Sequence, residues 1–171
     1  MKTLFKTTLI LLATVTFISC KNESKKNSEE SSSKNQAQIS TELAFNDESA
    51  KAQFQHYVHI KTALVNSNID EAKSGATMLM KNTDDANLKG MLAKISEASD
   101  IETLRAVFSD VTEQMTSIVN EALSSGEVYK QFCPMAFNNQ GGYWLSTEKE
   151  IRNPYYGDKM LKCGRVTETI K

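Results

Sequence analysis

Residues 99–126 read SDIETLRAVFSDVTEQMTSIVNEALSSG, and this stretch decides the fold. Ile101, Leu104, Phe108, Val111, Met115, Ile118 and Ala122 recur at the three- and four-residue spacing of one helix face. Ser99 followed by Glu102 has the form of a capping box, which places the start. Ser124-Ser125-Gly126 places the end, with Gly126 suited to a left-handed cap. The pattern predicts a long amphipathic helix, which must lay its apolar stripe against other elements.

Upstream, three shorter segments carry the same periodicity. Asp47 to Val65 sets Phe54, Tyr57, Val58, Leu64 and Val65 at helical spacing. After Asn66-Ser67-Asn68, a turn cluster, residues 69–81 put Ile69, Ala72, Ala76, Leu79 and Met80 on one face. Asn82-Thr83-Asp84-Asp85 breaks the pattern, and either Asp can cap the next helix. That helix carries Leu88, Met91, Leu92 and Ile95. No Pro falls in residues 42–133, and the links are short, which favours antiparallel neighbours. The expected fold is mainly α, an antiparallel bundle of about four helices. Met78, Met80, Met91 and Met115 are expected to fill gaps in its core. His56 and His59, three residues apart, share a face and are auxiliary metal candidates.

The first residues look like an address. Lys2 and Lys6 precede an apolar run, Leu9 to Ile18, too short to span a bilayer. The run ends Phe17-Ile18-Ser19-Cys20, which resembles a bacterial lipobox. The resemblance implies that residues 1–19 are a signal peptide and that Cys20 is lipidated. Residues 21–41, KNESKKNSEESSSKNQAQIST, offer only Ala37 and Ile39 for burial, so 20–41 reads as a lipidated cysteine and a disordered tether. The single folded domain is then 42–171. Without residues 1–19 the chain has 18 basic and 21 acidic side chains, a net charge of −3. That balance argues against a nucleic-acid partner.

From residue 127 the composition shifts. Both Pro, the only Trp, four of the five Tyr and the remaining two Cys lie in 127–171. Aromatic and β-branched residues between Gly, Asn and Pro turns predict short strands and ordered loops, an irregular β-containing tail. Cys133-x-Met135 and Met160-x-x-Cys163 each place two soft sulfur donors close together. If the turns bring the segments together, Cys133, Met135, Met160 and Cys163 form a site suited to copper(I) or another soft ion. The competing reading is a Cys133–Cys163 disulfide, natural in an exported, oxidising compartment. Spacing alone leaves both open.

The string CPMAFNNQGGYWLS…IRNPYYGDKMLKCG, preceded by His59-Ile60-Lys61-Thr62-Ala63-Leu64, is similar to the signature of a family of uncharacterised exported domains. The resemblance spans about residues 48–168. Members look like stand-alone lipoproteins or are fused to periplasmic adaptor subunits of heavy-metal efflux pumps. The resemblance implies a role in copper or related metal handling, with the metal-site candidates at Cys133, Met135, Met160 and Cys163. One departure stands out. Efflux adaptors also carry a small Cys-Pro-Met-His-Pro module, and here Ala136 and Phe137 follow Met135, so its His is missing.

The chain shows no glycine-rich phosphate loop, no serine-triad spacing, no Cys-x-x-Cys and only two His. No enzyme activity and no organic cofactor are expected. The leading expectation is a heavy-metal binding protein, lipid-anchored to a bacterial membrane and facing the periplasm or the cell surface. It would serve metal efflux or homeostasis. The alternative is a protein-interaction module with a disulfide-stapled tail, docking on an efflux adaptor or other envelope protein through Tyr143, Trp144, Tyr155 and Tyr156.

Overall fold

The structure is a computed structural model and describes residues 43–171. The expected signal peptide, the expected lipidation of Cys20 and the expected tether fall on residues outside the described ones.

Four helices carry most of the chain: α1 (Glu48–Val65), α2 (Ile69–Lys81), α3 (Ala86–Glu97) and α4 (Ile101–Ala122). Each starts on an Asp or Asn whose side chain accepts a backbone N–H of the first turn. Asp47 accepts from Ser49 and Ala50, Asn68 from Glu71, Asp85 from Leu88 and Asp100 from Thr103. Each such cap is worth about 1 kcal/mol. The cap of α4 is therefore Asp100, not Ser99. Ser and Asp both cap well, and the capping-box pattern pointed to Ser99, one residue before the residue that caps.

Successive helices pack in order, and α4 returns to α1, which closes the bundle. The core is built from Phe54, Tyr57, Ile60, Leu64, Leu79, Leu88, Leu92, Ile95, Leu104, Phe108, Val111 and Met115. Gly75 lets α2 approach α1 closely. A Cβ there would lie 2.9 Å from Ile60 Cγ1. Of the four methionines expected inside, Met115 is fully buried, Met80 and Met91 are half-buried, and Met78 is exposed.

Where a helix end was expected, Leu123–Ser125 forms strand β2 and pairs antiparallel with β1 (Ala44–Phe45). The Asn46 N–H also donates to the Ala122 carbonyl at 2.8 Å. The entry of the domain is thus tied to the end of α4. Gly126 has φ +91 as expected, but it serves the turn into the next strand.

That strand, β3 (Val128–Cys133), is central in a three-stranded antiparallel sheet. Its neighbours are β4 (Gly142–Ser146) and β5 (Arg165–Ile170). Tyr57 joins bundle to sheet. The Leu145 N–H donates to its hydroxyl at 2.9 Å. That hydroxyl lies 2.8 Å from Thr112 Oγ1, and Thr112 donates to the Phe108 carbonyl. The Tyr57 proton therefore points to Thr112. Burial pushes the Tyr57 hydroxyl far above its usual range.

Candidate functional site

Two segments converge at one end of β3. Cys133 is the last residue of β3, opposite Gly142 of β4, and is fully buried. Cys163 lies just before β5 and is half-buried. The two are free thiols, and their sulfurs are 3.1 Å apart across thirty residues of chain. The neighbouring Cys133 sulfur, with burial second, pushes the Cys163 thiol up.

Cys163 is placed by two features. Gly164 has φ +147, and a Cβ there would lie 2.8 Å from the Trp144 ring and 3.0 Å from the Phe132 carbonyl oxygen. Only glycine lets the backbone pass so close to β3. On the other side, the Asn153 side-chain amide donates to the Cys163 carbonyl at 2.9 Å, and the Cys163 N–H donates to the Met160 carbonyl at 3.0 Å.

Cys133 is placed by the β3–β4 connection. Phe137, Asn138 and Asn139 have φ of +51, +57 and +69, a left-handed turn of three consecutive non-glycine residues. Asn accepts this conformation readily, whereas Phe does so at a cost on the order of 1–2 kcal/mol. The Phe137 ring is held edge-on against Tyr155, with centroids 4.9 Å apart. Gly141 (φ +87) completes the turn and donates to the Ala136 carbonyl at 2.9 Å.

The methionines are less uniformly placed. Met135 follows Pro134 in the turn with its side chain 45% exposed, and its carbonyl accepts the Tyr156 hydroxyl at 2.6 Å. Met160 is half-buried at the end of a short 3-10 turn, Gly157–Met160. The structure brings the cysteines together, and in the sequence one methionine lies within three residues of each.

The histidines do not join them. His59 Nε2 lies 2.8 Å from Glu71 Oε2 on α2. Burial, then the neighbouring His59, lowers the pKa of His56. Among the described residues, no three His, Cys, Asp or Glu side chains form a group able to hold a metal.

The expected aromatic contact surface needs correction. Trp144 is fully buried and Tyr155 nearly so, in the core under Gly164 and β4. Their rings meet edge to face at 6.0 Å. Only Tyr143 is exposed, and Tyr156 is half-buried. Trp144 faces inward because it shares a sheet face with Gln131, its cross-strand partner, and with Cys133.

Sequence reasoning missed three supports of this region. Arg105 on α4 is buried. Its Nε donates to the Pro154 carbonyl at 3.0 Å, and its other nitrogens reach Glu102 and Ser67. Gln131 Nε2 is within 2.8 to 3.3 Å of the carbonyls of Glu148, Lys149 and Glu150. Lys61 on α1 is buried beside the same loop. Burial lowers its pKa, Glu148 opposes that shift, and Arg152 adds to it. None has a local pattern that announces burial, because Arg105 and Gln131 reach carbonyls, and Lys61 lies near charges, that are distant in sequence.

Elsewhere, Leu43, Phe45, Phe54 and Val58 line an apolar pocket of about 220 Å³, with Lys51, Gln55 and Thr147 at its edge. Among the described residues, no helix is long and apolar enough to cross a membrane.

Fold and site define a helical bundle with an appended sheet that carries a dithiol. Residues 54–126, which lie within the helical part and the start of the sheet region, match a family described as a protein of unknown function, DUF3347. The match does not include the Cys/Met tail. No curated protein and no solved structure matches the chain.

Proposed function

We propose that this chain is an exported, lipid-anchored protein that binds a soft heavy-metal ion, copper(I) in the first instance, and serves metal efflux or homeostasis. The observation that carries the reading is the meeting of Cys133 and Cys163, two free thiols thirty residues apart, at 3.1 Å. Thiolate and thioether donors select soft ions over magnesium or calcium. Met135, two residues after Cys133 in the sequence, is exposed and available to an incoming ion, and Met160, three residues before Cys163, is the other thioether candidate. The metal is cargo in this reading, and no chemical transformation is assigned to the chain.

Distances bound the chemistry. A metal–thiolate bond is about 2.3 Å long, so two sulfurs on one tetrahedral ion stand roughly 3.8 Å apart. The pair at 3.1 Å must open by about 0.7 Å to hold an ion and close by about 1 Å to become a disulfide. Both movements are within side-chain rotation. The reduced pair is therefore the binding form, and the oxidised pair is closed to metal. The lipobox-like Ser19-Cys20 supports the anchor, and lipidation of Cys20 is tested by intact-mass measurement of membrane-extracted protein.

The same distance favours a second reading, in which Cys133–Cys163 is a lasting staple and the domain acts as a protein-interaction module in the envelope. Copper(I) titration of the reduced protein against a chromophoric chelator separates the two. Binding of one ion per chain, lost when both cysteines are replaced by Ser, supports the cargo reading. An absence of binding leaves the staple.

A further inference from the structure

We infer that Asn153 is the positioning residue of the dithiol: its side-chain amide fixes the Cys163 backbone and so sets the approach of Cys163 to Cys133. The inference rests on the reading that Cys133 and Cys163 are the working pair, whether the pair serves metal or disulfide.

Asn153 is fully buried, and every polar group it owns is partnered. Its N–H donates to the Leu161 carbonyl at 2.9 Å, and its carbonyl accepts from the Gly157 N–H at 3.1 Å. The side-chain oxygen Oδ1 accepts from the Tyr155 N–H at 2.8 Å. The side-chain nitrogen Nδ2 donates to the Cys163 carbonyl at 2.9 Å. One residue thus ties both ends of the loop that delivers Cys163.

The post itself is rigid. Pro154, next along the chain, is held by Arg105 Nε from the bundle. Tyr155 is buried against Phe108, Phe137 and Trp144, and its hydroxyl donates to the Tyr143 carbonyl. Asn153 is therefore fixed to the helical core and to β4, while Cys133 is fixed to β3. Cys163 sits in a loop, where the Met160 carbonyl is its other backbone tie. Without the Asn153 amide Cys163 is referred to Cys133 only through Gly164 and the Arg165–Phe132 pair of the sheet, and the effective concentration of the two thiols must fall.

A loop-forming role and a positioning role make different predictions. An Asn that starts a turn needs only its oxygen, and a Ser hydroxyl can mimic that bond. Holding the Cys163 carbonyl needs the amide nitrogen, which Ser lacks. Asn153→Ser is therefore the selective variant, and Asn153→Ala removes both bonds.

The test is the redox equilibrium of the full chain against reduced and oxidised glutathione without metal, read by mass as the fraction two hydrogens light. The effective concentration of the thiol pair is expected to fall about fivefold in Asn153→Ser, the loss of one ordinary hydrogen bond. It should fall further in Asn153→Ala. A value within twofold of the parent in a folded Asn153→Ser protein overturns the inference, even if its thermal midpoint drops. Should the variants not fold, NMR of the reduced parent decides. Asn153 side-chain amide protons should exchange with solvent far more slowly than those of exposed Asn138 and Asn139, and equal exchange overturns the inference. Asn153 dependence together with no copper binding in the parent would remove the cargo reading and leave the positioning role standing.

Discussion

Oxidising the Cys133–Cys163 pair is expected to raise the thermal midpoint of the domain by about 11–18 °C. The perturbation is a mild thiol oxidant applied to the fully reduced protein, with completion followed by a mass loss of two hydrogens. The loop closed spans thirty residues. Chain entropy removed from the unfolded state by such a loop is worth about 3.6 kcal/mol at 25 °C. For a domain of this size 1 kcal/mol corresponds to roughly 3–5 °C in midpoint. Little of the gain should be lost to strain, because the sulfurs need to approach by only about 1 Å from where the fold already holds them. Scanning calorimetry of the reduced and oxidised forms reads the difference, and Cys163→Ser carried through the same treatment should show none. A shift below about 3 °C, or a downward one, would mean that the backbone around Cys133 and Cys163 is not arranged as described.

Further predictions follow from other contacts. Gly75→Ala gains about 1 kcal/mol of helix propensity but places its methyl 2.9 Å from Ile60 Cγ1 between α1 and α2. Overpacking at 1–3 kcal/mol outweighs the gain, so urea denaturation should show net destabilisation. Gly90→Ala meets nothing within 4 Å and should stabilise by up to about 1 kcal/mol. Tyr57 and Tyr155 have hydroxyls raised by burial, so the folded state holds two protons that the unfolded chain releases above about pH 10. Stability is unaffected by these groups below pH 10 and should fall above it by about 2–3 kcal/mol per pH unit. Absorbance at 295 nm should show the last two tyrosines ionising only as near-UV circular dichroism is lost, and ionisation of all five in the folded protein would refute the burial. Arg105→Met leaves the Pro154 carbonyl without its donor and should cost about 2–4 kcal/mol in denaturant titrations. Met135→Leu, at an exposed position, should change stability by less than about 0.5 kcal/mol, while Met135→Leu with Met160→Leu weakens copper(I) binding. Affinity equal to the parent's would remove the thioethers from the site.

The helices were legible because their signals are local. Residues 69–81 match α2 to the residue, and the stripe in α4 holds from Leu104 to Met115 inside the core. Ends were less legible. The capping-box pattern pointed to Ser99 where Asp100 caps, and Ser124-Ser125-Gly126 reads as a helix end until Ala44 and Phe45 pair with Leu123–Ser125 from the far end of the domain. In the tail, paired Cys/Met spacing singled out Cys133 and Cys163, and the fold joins them. Which aromatics face outward was not legible. Trp144 and Tyr143 are neighbours on β4, one buried and the other exposed, and alternation of faces alone would not have separated them, because Leu145 on the face of Tyr143 is buried too. Asn153 reads as a simple turn residue beside Pro154. Its bond to Cys163 exists only once the loop has folded back.

The binding of soft metal by the dithiol is tested most directly by native mass spectrometry of the protein recovered from an exported, copper-supplemented preparation without added reductant. The account predicts a mass raised by one copper ion per chain, absent when Cys163→Ser is prepared in the same way. A chain two hydrogens light and free of copper, whose reduced form also takes up no copper(I), would contradict it.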